Sequence, residues 1–445
     1  MRQGLRENGL CALAACVGSA TIAWLGLYGF AWNDYEVEAR PAFNALVHGH
    51  VLDFLRLAPA YGGSLIERAP FALVPGLWGG GDLAVYRMVA VPCLLAAAVL
   101  GVWLVAGMRI RGSSLLARAV LLGICVANPI TLRALELGHP EELLGGALCV
   151  AAVLLAARGR SLAAGVVLGL AIANKEWALL AAGPVLLAVP PGRRVRALAG
   201  AFATAAAVLA PLALVSSGGF TAAGSAVAAP PSSIFQPWQL FWFLGHHGSL
   251  VRGIFGATKP GYRLAPGWIG SLSHPLVVIA GIGVAGVAWM GRAKAASPNG
   301  GRGAAARRLR GVRISGQEAL LMLALVMLLR CLLDTWDAVY YPLPFILALL
   351  TWEGTRHAVR PPLLALSCTV LAWVSFQWLP QHVSPDAQAA FFIAWTLPLT
   401  AWLAASVLRL DRAPRATDAR PRPARLRARP QETTVSAFDK LVSTS

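Results

Sequence analysis

Long apolar runs separated by short polar turns recur along the chain and set its organisation. They cover about residues 9–31, 83–107, 114–134, 142–157, 161–174, 177–190, 197–215, 274–291, 316–333, 342–355, 361–378 and 389–408. A helix of roughly 18 or more apolar residues crosses the ~30 Å hydrocarbon core of a bilayer. The pattern therefore predicts an all-α fold, a polytopic transmembrane helical bundle of about twelve helices filling residues 1–408. Runs 161–174 and 177–190 are shorter than a full span, and short helices flanking a polar turn can line a cavity instead of lipid. Arg2 and Arg6 precede the first run as in a signal peptide, and Leu13-Ala14-Ala15-Cys16 has the form of a lipoprotein box. The run continues well past Cys16 with no small-residue cleavage site to close it, so it reads as an uncleaved first transmembrane helix.

Two polar segments are long. In the first, residues 32–82, Phe43, Leu46 and Val47 share one helical face while Asn44 and His48 share the other. This predicts a short helix lying in the membrane interface and ended by Gly49. The run Ala69 to Trp78 is too short to cross and reads as half-buried. The second long loop, 216–273, is rich in Gly, Pro and aromatics, among them Trp238, Trp242, Phe243 and Trp268, which favour the headgroup level. A Gly-, Ala- and Arg-rich linker follows at 291–313, and the Arg- and Pro-rich segment 409–445 has the composition of a disordered tail.

Composition sharpens this picture. Charged residues make up 13% of the chain, about half the share of a soluble protein. The formal net charge of +18 sits in short loops and the tail, without interleaved aromatics or a recognition fold. Anionic lipid headgroups explain it better than nucleic acid, which is not an expected partner. Basic loops stay cytoplasmic, which places both termini inside the cell membrane and both long loops outside. Most acids, from Asp34 to Asp386, then fall on the outer face. Acids contribute little to orientation, so their gathering there calls for a functional cause. The seven cysteines show no regular spacing and read as apolar packers, not as a disulfide framework or a zinc site.

Four polar clusters on that face are candidates for chemistry. Asn33-Asp34-Tyr35-Glu36 follows the first helix, where Asp34 is either a general base or part of a solvated acidic turn. In Gly138-His139-Pro140-Glu141-Glu142, the acids suit the first turn of the next helix, and His139 is placed to bind a sugar hydroxyl. Lys175 lies in a turn between two short helices and needs an anion, either neighbouring Glu176 or a phosphate. Arg330 lies about one turn inside an apolar helix with Asp334 at i+4, which suits an ion pair. Alternatively Arg330 forks onto a phosphate while Trp336 stacks on a sugar. Asp337, Tyr340 and Tyr341 complete that cluster, and Lys259, Arg263, Tyr262 and the pair His246-His247 are further candidates in the long loop.

The order of these features resembles the GT-C superfamily of integral-membrane glycosyltransferases, and within it bacterial glycosyltransferase family 87, the polyprenol-phosphate-mannose-dependent mannosyltransferase group. The likeness is carried by Asp34-Tyr35, Ala45 to Gly49, Ala69 to Leu73, Asn128-Pro129, Gly138 to Glu141, Gly165 to Lys175, and Asp334 to Asp337 leading into Tyr340-Tyr341-Pro342. It implies transfer of a sugar from a polyprenyl-phosphate donor to a glycolipid or cell-envelope glycan, with inversion and with neither metal nor other cofactor. The resemblance makes Asp34 the catalytic base. Lys175, Arg330, Lys259 and Arg263 would meet the donor phosphate. Tyr35, Glu36, His139, Glu141, Asp334, Trp336, Asp337, Tyr340 and Tyr341 would contact sugar or acceptor. His139-Pro140-Glu141 and the second late acid, Asp337, depart from the family's better-known members. A transporter or flippase for a lipid-linked substrate is the competing reading.

Overall fold

The computed structural model describes residues 9, 11–20, 34–58, 62–218, 221, 235–247, 261–295, 311–356 and 360–409. They form a helical bundle. A short helix α1 (Cys11–Ala20) stands in the first apolar run. The segment after it folds into α2 (Arg40–Val47), α3 (Val51–Leu57) and α4 (Gly62–Ala72). On α2, Phe43 and Leu46 are buried and His48 is exposed, the amphipathic arrangement expected, and Gly49 ends it with φ +83°. A 3-10 turn, Val74–Trp78, leaves Leu77 and Trp78 exposed.

The remaining helices are α5 (Asp82–Ile110), α6 (Leu115–Val126), α7 (Pro129–Leu137), α8 (Glu141–Ala157), α9 (Ser161–Asn174), α10 (Ala182–Ala188), α11 (Arg194–Val215), α12 (Ile269–Ala295), α13 (Gly316–Leu333), α14 (Pro342–Arg356), α15 (Leu363–Trp373) and α16 (Pro385–Arg409). Their ends follow local signals. Asn128 caps α7 by accepting the Ile130 N–H, Pro129 takes its first position, and Gly138 closes it in the left-handed region. Ser315 and Glu318 cap α13 reciprocally.

Seven helices among the described residues are long and apolar enough to cross a membrane, which makes this a multi-pass membrane protein. Four of the other expected crossings fall short, since α8, α9, α10 and α14 have 17, 14, 7 and 15 residues, and most of the first, 9–31, lies outside the described residues. The short helices serve the interior. Of the seven long helices, α13 is the most enclosed, with 72% of its apolar window buried against 17% for the windows in α11 and α12. It packs against α8, α10, α12, α14 and α16. Helices in lipid associate by close packing, and α9 meets α11 that way: side chains at Gly165 and Gly169 would collide with the carbonyl oxygens of Ala197 and Ala201.

One departure from an all-α reading is a two-residue antiparallel pairing, His246–His247 with Arg263–Leu264. The two ends of the bundle differ in charge. At the C-terminal end of α8, Arg313 donates to the carbonyls of Ala157 and Ala188, and nearby Arg194 and Arg193 donate to Leu186 and Gly159. The acidic residues Glu141 and Glu142 begin the same helix. With 17 residues, α8 separates the two sets by ~24 Å along its axis.

Candidate functional site

Asp34 stands before a π-helical turn, Tyr35–Ala39, a widened geometry frequent at functional sites. Tyr35 is buried against Tyr86 of α5, ring centroids 4.3 Å apart, and the Tyr86 hydroxyl donates to the Leu135 carbonyl near the end of α7. Gly138 brings the next turn against Tyr35. Its φ is +93°, and a Cβ there would lie 2.6 Å from the Tyr35 nitrogen. Only glycine satisfies both demands. The close approach sets His139 beside Asp34.

His139 Nε2 lies 3.2 Å from Asp34 Oδ2, and Nδ1 lies 2.8 Å from Glu141 Oε1. The ring of Tyr340 covers the imidazole with centroids 4.4 Å apart. Burial lowers the His139 pKa, but the hydrogen bonds to Asp34 and Glu141 outweigh it, and the group is pushed up to about 9. Glu141 is held from three further sides. Lys175 Nζ is 3.2 Å from Oε1, Arg68 Nη2 is in ion-pair range of Oε2 at 3.4 Å, and Asn174 Nδ2 donates to the Glu141 carbonyl.

The network continues inward. Lys175 also lies 3.9 Å from Glu142, whose carboxylate receives both Nη atoms of Arg330 at 3.0 and 3.2 Å and the Trp177 indole N–H at 3.0 Å. The Arg330 guanidinium sits between the rings of Trp177 and Tyr341, 4.6 and 3.9 Å from their centroids. Asp34, Glu141 and Glu142 thus face Arg68, Lys175 and Arg330, three charges against three, and a protonated His139 tips the balance positive. Side-chain exposure falls from 32% at Asp34 to 6% at His139 and 0% at Glu141. Asp34 is the exposed tip of a buried network.

Several expected pairings are corrected. Lys175 meets Glu141 and Glu142 instead of neighbouring Glu176, which is exposed, because Lys175 has extended backbone (φ −152°, ψ 133°) that turns successive side chains to opposite sides. Arg330 pairs with Glu142 instead of Asp334, because α13 ends at Leu333 and Asp334 is extended (ψ 128°), outside the i+4 geometry of a helix. Both cations are therefore occupied by carboxylates. His139 and Glu141, expected to contact sugar or acceptor, are wholly enclosed in the network.

The other candidates lie around or away from this cluster. Asp334 accepts from the Trp336 backbone N–H and lies 3.1 Å from His274 Nε2 of α12. Trp336 stands edge-on to His274. Asp337 is wholly buried, and neither carboxylate oxygen makes a hydrogen bond among the described residues. Burial and neighbouring Asp334 push its pKa well up. Glu36 pairs with Arg40 on an exposed surface. Arg263 is not brought into the network: it forks onto Asp386 with two 2.8 Å contacts, beside Trp242, in a satellite cluster with Phe235, Ile269 and Ala389. Lys259 lies outside the described residues. Among those residues no group of three or more His, Cys, Asp and Glu is placed to hold a metal ion.

The structure adds Arg68 and Trp177 to the network, gives Glu142 of the second cluster a role as the partner of Arg330, and sets His274 beside Asp334. His274, at the head of an apolar run, carried a usable signal, since ionisable residues at membrane depth mark functional positions. Arg68 carried none, because its partner is remote in sequence. No protein-family model matches the chain, and no curated protein sequence matches it.

Proposed function

We propose that the chain is an integral-membrane glycosyltransferase that moves a sugar from a polyprenyl-phosphate donor to a hydroxyl of a glycolipid or cell-envelope glycan, inverting the anomeric centre. The observation that carries the reading is the half-exposed carboxylate of Asp34 at the tip of the network. Segments from Asp34 to Tyr341 converge there, opposite the arginine-rich end of the bundle. With that basic end cytoplasmic, Asp34 faces the outside and both termini lie inside.

In the proposed reaction an Asp34 oxygen accepts the proton of the acceptor hydroxyl as its oxygen attacks the anomeric carbon. The bond from that carbon to the prenyl phosphate breaks, and the phosphate leaves with the electron pair. Lys175 and Arg330, held by Glu141 and Glu142, act on the growing phosphate charge through their field. The rigid bundle aligns donor and acceptor. The competing reading, transport of a lipid-linked substrate, draws on the enclosed carboxyl of Asp337, which makes no hydrogen bond among the described residues and is a group type common on pathways through membranes.

The test is an assay of purified protein in lipid with a panel of prenyl-phosphate sugars and mass detection of products. Transfer that is lost in a folded Asp34→Asn variant is the expected result. Full activity of that variant removes Asp34 from the role. Flipping of the lipid in proteoliposomes, with no transfer from any donor, overturns the enzymatic reading.

A further inference from the structure

An imidazole offers one donor and one acceptor when neutral, and two donors when protonated. The His139 ring has a carboxylate oxygen against each nitrogen, Asp34 at 3.2 Å and Glu141 at 2.8 Å. With both carboxylates ionised, both contacts are hydrogen bonds at once only if the ring is an imidazolium. We infer that His139 is a positioning residue for Asp34, a fixed cation that holds Oδ2 and turns Oδ1 toward the acceptor hydroxyl. This rests on the reading of Asp34 as the base.

The surroundings fix the ring in that role. Glu141 cannot swing away, being held by Lys175 and Arg68 and through its carbonyl by Asn174. Tyr340 covers the ring face, and Gly138 seats the preceding backbone against Tyr35. The charged and titratable groups facing this site are Asp34, Glu141, Lys175 and Tyr340, with Arg68 acting through Glu141, and Glu38 bearing on Lys175 and Tyr340. The pKa of His139, pushed up to about 9, agrees with a ring protonated throughout the neutral range.

The proton balance is simple. The acceptor O–H proton goes to Asp34, the leaving phosphate keeps the electron pair of the broken bond, and His139 keeps its own protons. After each turnover Asp34 passes that proton to solvent, which resets the site. A prenyl phosphate is a good leaving group, so no strong general acid is needed.

In His139→Gln, which keeps a donor toward Asp34 but removes the charge and the second anchor on Glu141, the kcat for sugar transfer falls about tenfold or more with KM little changed, because the base is no longer held in line with the acceptor. An unchanged kcat overturns the inference. A second measurement needs no variant: 15N NMR of the histidine-labelled protein in lipid shows a ring with both nitrogens protonated at pH 8, and spectra in which every histidine is neutral at that pH overturn it. Asp34→Asn separates the two claims. If that variant transfers normally, the base reading itself fails; if it is inactive while His139→Gln keeps its kcat, only the role of His139 falls.

Discussion

Replacing Glu142 with leucine strands the Arg330 guanidinium inside the bundle. Arg330 is 4% exposed and gives two hydrogen bonds to Glu142, so the change removes the only carboxylate bonded to it among the described residues. Breaking a buried ion pair from one side costs about 3–5 kcal/mol. The rings of Trp177 and Tyr341 remain and return part of this, about 0.5–2 kcal/mol for a cation over an aromatic face. The Trp177 N–H also loses its acceptor, which adds about 1–3 kcal/mol. The net expectation is a loss of about 4 kcal/mol.

Arg330→Leu is milder, about 2–3 kcal/mol, because Glu142 keeps the Trp177 hydrogen bond and lies 3.9 Å from Lys175. The double variant, with apolar side chains meeting where the charges met, stays within about 1–2 kcal/mol of the unmodified protein. The interaction energy from the cycle is then at least about 2 kcal/mol. Equilibrium denaturation in mixed micelles, read by tryptophan fluorescence, measures all four corners. Additive single losses, or a double variant as unstable as their sum, would show that water or lipid headgroups already solvate the two charges and that the enclosed network is wrong.

Two further outcomes follow from the neck of the site. His139 has a folded-state pKa of about 9 against 6.5 for the free group, so its contribution is fully present below about pH 6.5 and fades as pH rises through about 9. The shift corresponds to ~3 kcal/mol; thermal melts between pH 6 and 10 should show the decline, and His139→Gln should remove it. Gly138→Ala forces a side chain into the left-handed region and against Tyr35, with an expected loss of at least about 1–2 kcal/mol. By parting His139 from Asp34 it should also lower the kcat of transfer as His139→Gln does, and an alanine variant with normal stability and an unchanged kcat would refute the close approach.

Much of the architecture is written in local sequence. The length of each apolar run, the Asn128-Pro129 start and Gly138 stop of α7, the Ser315–Glu318 cap of α13 and the amphipathic α2 depend on residues within one or two turns of each other. Such signals survive in a linear reading because helices form from near neighbours. What the chain alone left undecided was which short runs span the membrane and which acid meets which base. Arg330 finds Glu142 at a distance of 188 residues, and Asp34 finds His139 at 105. For Arg330 and Lys175 the nearer candidate was lost where the backbone left the helix, at Asp334 and at Lys175 itself, since a residue in extended conformation no longer shares a face with the turn before it. Arg68 and Trp177 join the site only because α4 and the start of the 3-10 turn Glu176–Ala181 are carried beside α8 by packing. Ion pairs enclosed in a bundle are set by what lies across the interior, and that geometry exists only once the helices have assembled.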